Sequence, residues 1–142
     1  MPPHIIEPYR EVSGAILVGT CGRLLLQQRD DVPGILYPGM IGLFGGHREG
    51  AETPLECLMR ELTEETGLTY RADQITPLVE MTAAYPAGGG VKGSYFIVRD
   101  VEIERTRITE GQPLVTTREA VPSLYARMAP TACYAMRLFE QL

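Results

Sequence analysis

The order of elements along this 142-residue chain predicts an α/β or α+β sandwich. Three observations carry that expectation. Two apolar runs, Val12 to Val18 and Leu24 to Gln28, flank the turn Gly19-Thr20-Cys21-Gly22-Arg23 and read as paired strands. A well-signalled amphipathic helix follows in the middle of the chain. Further strands, Ile75 to Ala84 and Tyr95 to Ile103, then lead to a terminal helix over Pro130 to Leu142.

Each element has a local reason. Asp30 to Gly46 is broken by Pro33-Gly34, Pro38-Gly39 and Gly45-Gly46, so it reads as one long loop. Loops of that length inside a compact domain carry function or move. The central helix starts at Thr53, a good N-cap, with Pro54 at the first helical position and Glu56 completing a capping box. Gly67 stops it. Leu55, Leu58, Met59 and Leu62 fall on one apolar stripe that should face a core. A glycine-rich hairpin, Gly88 to Ser94, should join the later strands and could cover a ligand. It lacks the Gly-Lys-Ser/Thr ending of a phosphate-binding loop. Thr116 to Ala120 reads as a short helical turn. One domain over residues 1–142 is expected.

Composition narrows the function classes. Hydrophobic residues at 44% and charged residues at 22% exclude a disordered chain. No apolar run reaches the ~20 residues of a membrane span, and MPPHIIEPYR is no secretory leader. No membrane partner is expected. The net charge of −5 disfavours polymeric nucleic acid. It suits a small anionic ligand only if metal ions neutralise the charge between them. Of 13 basic residues only Lys92 is lysine, and the arginines could fork onto phosphate oxygens. Cys21, Cys57 and Cys133 are odd in number and lack C-x-x-C spacing, which fits a reducing cytoplasm. His4 and His47 have no neighbour at metal-ligand spacing. The oligomeric state, monomer or homodimer, is left open.

The most informative residues are acidic. Glu61, Glu64 and Glu65 are spaced i, i+3 and i+4 and project from one helix face. Like charges so placed weaken a helix by a few tenths of a kcal/mol per pair, about 0.2–0.5. An isolated E-x-x-E-E is usually a solvated face, whereas a site for Mg²⁺ or Mn²⁺ would relieve the repulsion. The surroundings decide for the site. Gly46, five residues, Glu52, seven residues, then Arg60-Glu61-Leu62-Thr63-Glu64-Glu65-Thr66-Gly67-Leu68 complete a pattern over 46–68. That pattern resembles the Nudix box, G-x5-E-x7-R-E-U-x-E-E-x-G-U with U a bulky aliphatic. Seven fixed letters at ordinary frequencies match by chance in fewer than about one in a million such chains.

The resemblance implies a mixed β-sheet between helices, an α/β/α sandwich. It also implies metal-dependent hydrolysis of a phosphoanhydride in a nucleoside diphosphate linked to another moiety. Mg²⁺ or Mn²⁺ would sit on Glu61, Glu64, Glu65 and a Gly45 carbonyl, with Arg60 pairing to Glu52 to hold the preceding loop. Thr109-Glu110-Gly111-Gln112-Pro113 resembles a segment that supplies a further glutamate in MutT-like members. Glu110 is then a fourth ligand or the base, the alternative being a solvated loop residue.

Substrate contacts are thinner. Arg29 matches an arginine near the nucleotide in MutT-like relatives, and a surface ion pair is the competing reading. Leu43-Phe44-Gly45-Gly46 departs from the commoner Phe-Pro-Gly-Gly, so Phe44 would stand at an altered base-pocket wall. Tyr85 lies near the tyrosine of dinucleoside-polyphosphate hydrolases, or packs beside a turn at Pro86. Thr131 stands where enzymes for oxidised guanine place an asparagine, and its hydroxyl offers a different pattern. A nucleoside triphosphate releasing pyrophosphate leads, followed by nucleotide sugars and dinucleoside polyphosphates. A nucleotide-sensing domain without turnover is the alternative from another class.

Overall fold

Strand β1, Tyr9–Gly19, is the axis of the sheet, and its sequence shows why. Ser13 to Leu17 are buried on both sides, the pattern of a central strand covered on two faces. The structure is a computed structural model and describes residues 9–85 and 88–142. His4 and Pro86, singled out in the sequence, lie outside the described residues.

Eight further strands and α-helices follow among the described residues: β2 Leu24–Gln28, β3 Ile41–Gly42, β4 Phe44–His47, α1 Pro54–Thr66, β5 Ile75–Ala84, β6 Gly90–Val101, β7 Gln112–Thr116 and α2 Pro130–Glu140. The main sheet order is β3-β2-β1-β6-β5, with β4 paired to β1 and β7 to β2. β1 runs parallel to β6 from Tyr9 opposite Gly90 to Leu17 opposite Val98. Its other edge pairs antiparallel with β4 near the start and with β2 near the end. The sheet is therefore mixed, as expected.

Alternation along the strands builds two cores. Ala15, Leu17, Leu25, Phe96 and Val98 face Leu58 and Leu62 of α1. Ile16, Leu24, Leu26 and Ile97 face Ala135, Met136 and Phe139 of α2. Helices on opposite faces of one sheet make the α/β/α sandwich. No helix among the described residues is long and apolar enough to cross a membrane. Cys21, Cys57 and Cys133 are free thiols.

Several local expectations change. The expected loop Asp30 to Gly46 ends in β3 and β4, whose two and four residues are too short to show periodicity. The rest is a tied excursion. Gln28 Nε2 donates to the Gly39 carbonyl at 2.6 Å and Arg29 Nε to the Leu36 carbonyl at 2.9 Å. The glycine-rich hairpin is mostly strand, because β6 already starts at Gly90. Gly93 is required there: a Cβ would stand 2.4 Å from the Tyr95 ring. Thr116 closes strand β7 rather than opening a helical turn, and the helical segment is a 3-10 stretch at Val121–Arg127.

Helix α1 has the limits its sequence signals. Thr53 Oγ1 accepts from the Glu56 N–H at 3.1 Å, while Glu56 Oε1 accepts from the Thr53 N–H at 2.9 Å. Gly67 ends the helix at a left-handed φ of 76°. Thr53→Ala should lower unfolding free energy by about 1 kcal/mol, measured by urea denaturation. Unchanged stability would show that packing alone fixes where α1 begins.

Candidate active site

Two glycines set the backbone of β4 closely between β1 and α1. Gly45 has a φ of 149°, and a Cβ there would lie 2.0 Å from the Ser13 carbonyl oxygen. A Cβ on Gly46 would lie 2.3 Å from the Glu61 carboxyl carbon and 2.5 Å from both of its oxygens. The bare Gly45 lets β4 lie close against β1, and the bare Gly46 leaves the room that the Glu61 carboxylate fills. Glu65 reaches the same stretch of backbone: its Oε1 accepts the Gly45 N–H at 3.0 Å, and its Oε2 accepts from Gln27 Nε2 at 3.4 Å.

Glu65 is only 5% exposed. Burial, opposed by the Gly45 N–H and reinforced by the charges of Glu61 and Glu110, pushes its carboxyl up to about 8. Burial likewise raises Glu61, against the pull of Arg60. Glu64 is 59% exposed, so the acidic triplet divides into two inward carboxylates and one outward.

Arg60 holds the loop before the helix. Its Nε donates to Glu52 Oε2 at 2.7 Å and its Nη2 to Glu52 Oε1 at 3.0 Å, a two-pronged pair. Nη2 also reaches the His47 carbonyl at 2.9 Å. Nη1 lies 3.0 Å from Glu61 and 3.3 Å from Glu64, which partly offsets the repulsion between them. In this arrangement no three acidic, His or Cys side chains among the described residues form a ready metal cage. The donor set still fits a hard divalent cation: carboxylate oxygens, one deeply buried, beside a backbone that lacks side chains.

Glu110 is exposed, but its segment is fixed. Thr109 donates its N–H to the Glu65 carbonyl and its hydroxyl to the Glu64 carbonyl, both at 3.3 Å. Gly111 turns with a φ of 66°, where a Cβ would lie 2.4 Å from the Gln28 carbonyl oxygen.

The expected substrate residues fare unevenly. Phe44 is a correction: its ring is fully buried in the α1-side core, with no exposed face to offer a base. Leu43, its half-buried neighbour, packs on the α2-side core instead. Arg29 sits half-buried at the end of β2, spending its Nε on the Leu36 carbonyl. Thr131 sits half-buried in the first turn of α2, and Tyr95 is buried in the sheet. Tyr85 follows β5, its carbonyl accepting the Gly88 N–H at 3.0 Å and its N–H donating to the Gly89 carbonyl at 2.9 Å. Burial raises the Tyr85 and Tyr95 phenols, and the nearby Tyr37 phenol adds to both.

Tyr95 and Gln27 escaped the sequence reading. Gln27 had a visible signal, since period-two alternation puts it on the same face as Leu25. A separate cavity of about 630 Å³ opens at the N-terminal end of α1 between Glu11, Arg48, Glu52, Glu80 and Lys92. Glu61, Glu64 and Glu65 do not line it, so it is not where the acidic groups converge.

The Arg60 guanidinium holds Glu52 down to about 2 from an ordinary 4.5. A lowered folded value means the clamp stabilises fully above the unfolded value and fades as pH falls toward 2. The melting-temperature gap between wild type and Glu52→Gln should therefore shrink from pH 6 to pH 2.5, roughly the span of the titration. A gap that widens on acidification would contradict the ion pair.

Comparison with known proteins places this geometry. No curated protein matches the sequence. Among solved structures the chain is similar to the MutT protein from Methanosarcina mazei Go1, with a TM-score of 0.79 and 19% identity over 95% of both chains. The E. coli ORF135 protein aligns with a TM-score of 0.76 and 21% identity, covering 100% of this chain and 95% of that one. The NUDIX domain of Shewanella oneidensis NrtR, complexed with ADP ribose, aligns with a TM-score of 0.74 and 16% identity, over 99% and 92%. At these identities the likeness establishes the fold. The NUDIX domain family model matches residues 8–120, and the chain accordingly belongs to that family, whose hydrolases act on nucleoside diphosphate derivatives.

Proposed function

We propose that this Nudix hydrolase cleaves a phosphoanhydride bond in a nucleoside triphosphate and releases pyrophosphate, with Mg²⁺ or Mn²⁺ bound by Glu61, Glu64, Glu65, Glu110 and the Gly45 carbonyl. One observation carries the reading: Glu65 is buried against the Gly45 N–H, while the bare Gly46 beside it makes room for the Glu61 carboxylate. Burying an ionised carboxylate costs several kcal/mol. A hydrogen bond to a charged group returns about 1.5–3 kcal/mol, and one of the two here is long. A divalent cation supplies the missing compensation.

When bound, the cation would withdraw electron density from the phosphoanhydride and lower the pKa of water near it. The chain's own groups do the rest. Gly45 N–H and Gln27 fix the orientation of Glu65, while Arg60 and Glu52 hold the loop that carries Gly46 against the helix. In hydrolysis the water oxygen bonds to phosphorus and the bridging oxygen leaves with its electron pair. The water's proton passes to a carboxylate oxygen of Glu61, Glu64, Glu65 or Glu110.

The nucleotide reading draws support from the ADP ribose bound to the NrtR domain. Arg29, Tyr85 and Thr131 are the proposed substrate contacts. Thr131 lacks an amide, which argues against an oxidised-guanine preference. Nucleotide sugars and dinucleoside polyphosphates are the next substrate classes. The reducing cytoplasm suits its free thiols.

A substrate panel with Mg²⁺, read as phosphate after added pyrophosphatase, should show turnover on a nucleoside triphosphate. Tight nucleotide binding without turnover on any candidate would favour a sensor instead. Glu65→Gln should cut kcat/KM by ~10²–10³-fold. It should leave the metal-free melting temperature undiminished, because without metal burial already holds the Glu65 carboxyl largely neutral near pH 7 and Gln matches its shape. Near-normal turnover in that variant would overturn the metal role.

A further inference from the structure

We propose that Gln27 is a positioning residue that ties Glu65 and the Glu110 segment into one metal-binding unit through its neutral amide. The inference rests on the metal reading above and goes beyond it. Gln27 is 5% exposed, on the α1 face of β2, next to the buried Leu24, Leu25 and Leu26. Its single Nε2 reaches Glu65 Oε2 at 3.4 Å and the Glu110 backbone carbonyl at 3.0 Å. The two acceptors come from segments 45 residues apart in the sequence, joined here by one side chain. The segment is pressed against it, since a Cβ on Gly111 would stand 3.2 Å from Gln27 Cγ.

The chemistry of the amide explains the choice. A lysine or arginine at this place would bond Glu65 more strongly and also neutralise it, occupying the charge a cation needs. An apolar residue would leave Glu65 Oε2 without its donor and release the Glu110 segment. An amide orients the carboxylate while leaving its full charge available. Partners of this kind around metal ligands change metal affinity by ~10–100-fold when removed.

Mn²⁺ titration followed by the electron paramagnetic resonance of free Mn²⁺ measures affinity without turnover. Gln27→Met, similar in volume and without a donor, should weaken Mn²⁺ binding by ~10-fold or more. It should raise the Mn²⁺ concentration for half-maximal turnover, and saturating Mn²⁺ should restore most of kcat. Gln27→Lys keeps a donor and adds positive charge beside Glu65. It should hold or raise the metal-free melting temperature and weaken Mn²⁺ binding more than Gln27→Met does.

Wild-type Mn²⁺ affinity in either variant would overturn the proposal. So would a lower metal-free melting temperature in Gln27→Lys with unchanged affinity, the mark of a packing role. Glu65→Gln in the same titration separates the two ideas. If it binds Mn²⁺ like wild type, the metal reading itself fails. If it loses binding while Gln27→Met does not, only the role of Gln27 fails.

Discussion

The burial of the Glu65 carboxylate is the constraint around which the rest of this molecule is arranged. A carboxylate 5% exposed is tolerated only where neighbours donate to it or a cation shares its field. Both neighbours that donate belong to the sheet: the Gly45 N–H on β4 and the Gln27 amide on β2. The sandwich therefore supplies Glu65 with backbone and neutral dipoles, while the opposing charge of Arg60 reaches only Glu61 and Glu64. Arg60, the one strong cation nearby, directs its two-pronged pair at Glu52, outside the inward pair of carboxylates.

That arrangement depends on the order of strands. β1 pairs with β4 along its first half and with β2 toward its end, so Gly45 and Gln27 reach α1 from neighbouring ladders. Leu58 and Leu62 fix the roll of the helix by packing on Ala15, Leu17 and Leu25. With the helix so turned, Glu61 and Glu65 point inward, while Glu64, 59% exposed, points toward solvent. The core thus decides which members of the acidic triplet are buried, and the burial in turn creates the demand for positive charge.

Local signals were legible in the sequence where their cause was local. Thr53, Glu56 and Gly67 are sufficient to bound α1, because caps act within a turn of the residues that make them. The Arg60 pair with Glu52 was likewise readable, since both partners belong to the same motif. Elements made by distant pairing were not. β3 and β4 exist because β2 and β1 supply their partners, and their glycines read locally as loop. Pro113 disguised β7, an edge strand whose ladder partner at Gln27 lies 86 residues earlier. The pattern placed Phe44 near a substrate, yet alternation turned its ring into the α1-side core. Gln27 joins two segments far apart in sequence, so no short motif contains it.

The most direct test is the position of a cation in crystals grown with Mn²⁺, located by its anomalous scattering. The account predicts a peak at coordination distance from carboxylate oxygens of both Glu61 and Glu65, close to the backbone of Gly45 and Gly46. A peak elsewhere, with Glu65 still bonded only to Gly45 and Gln27, would contradict it.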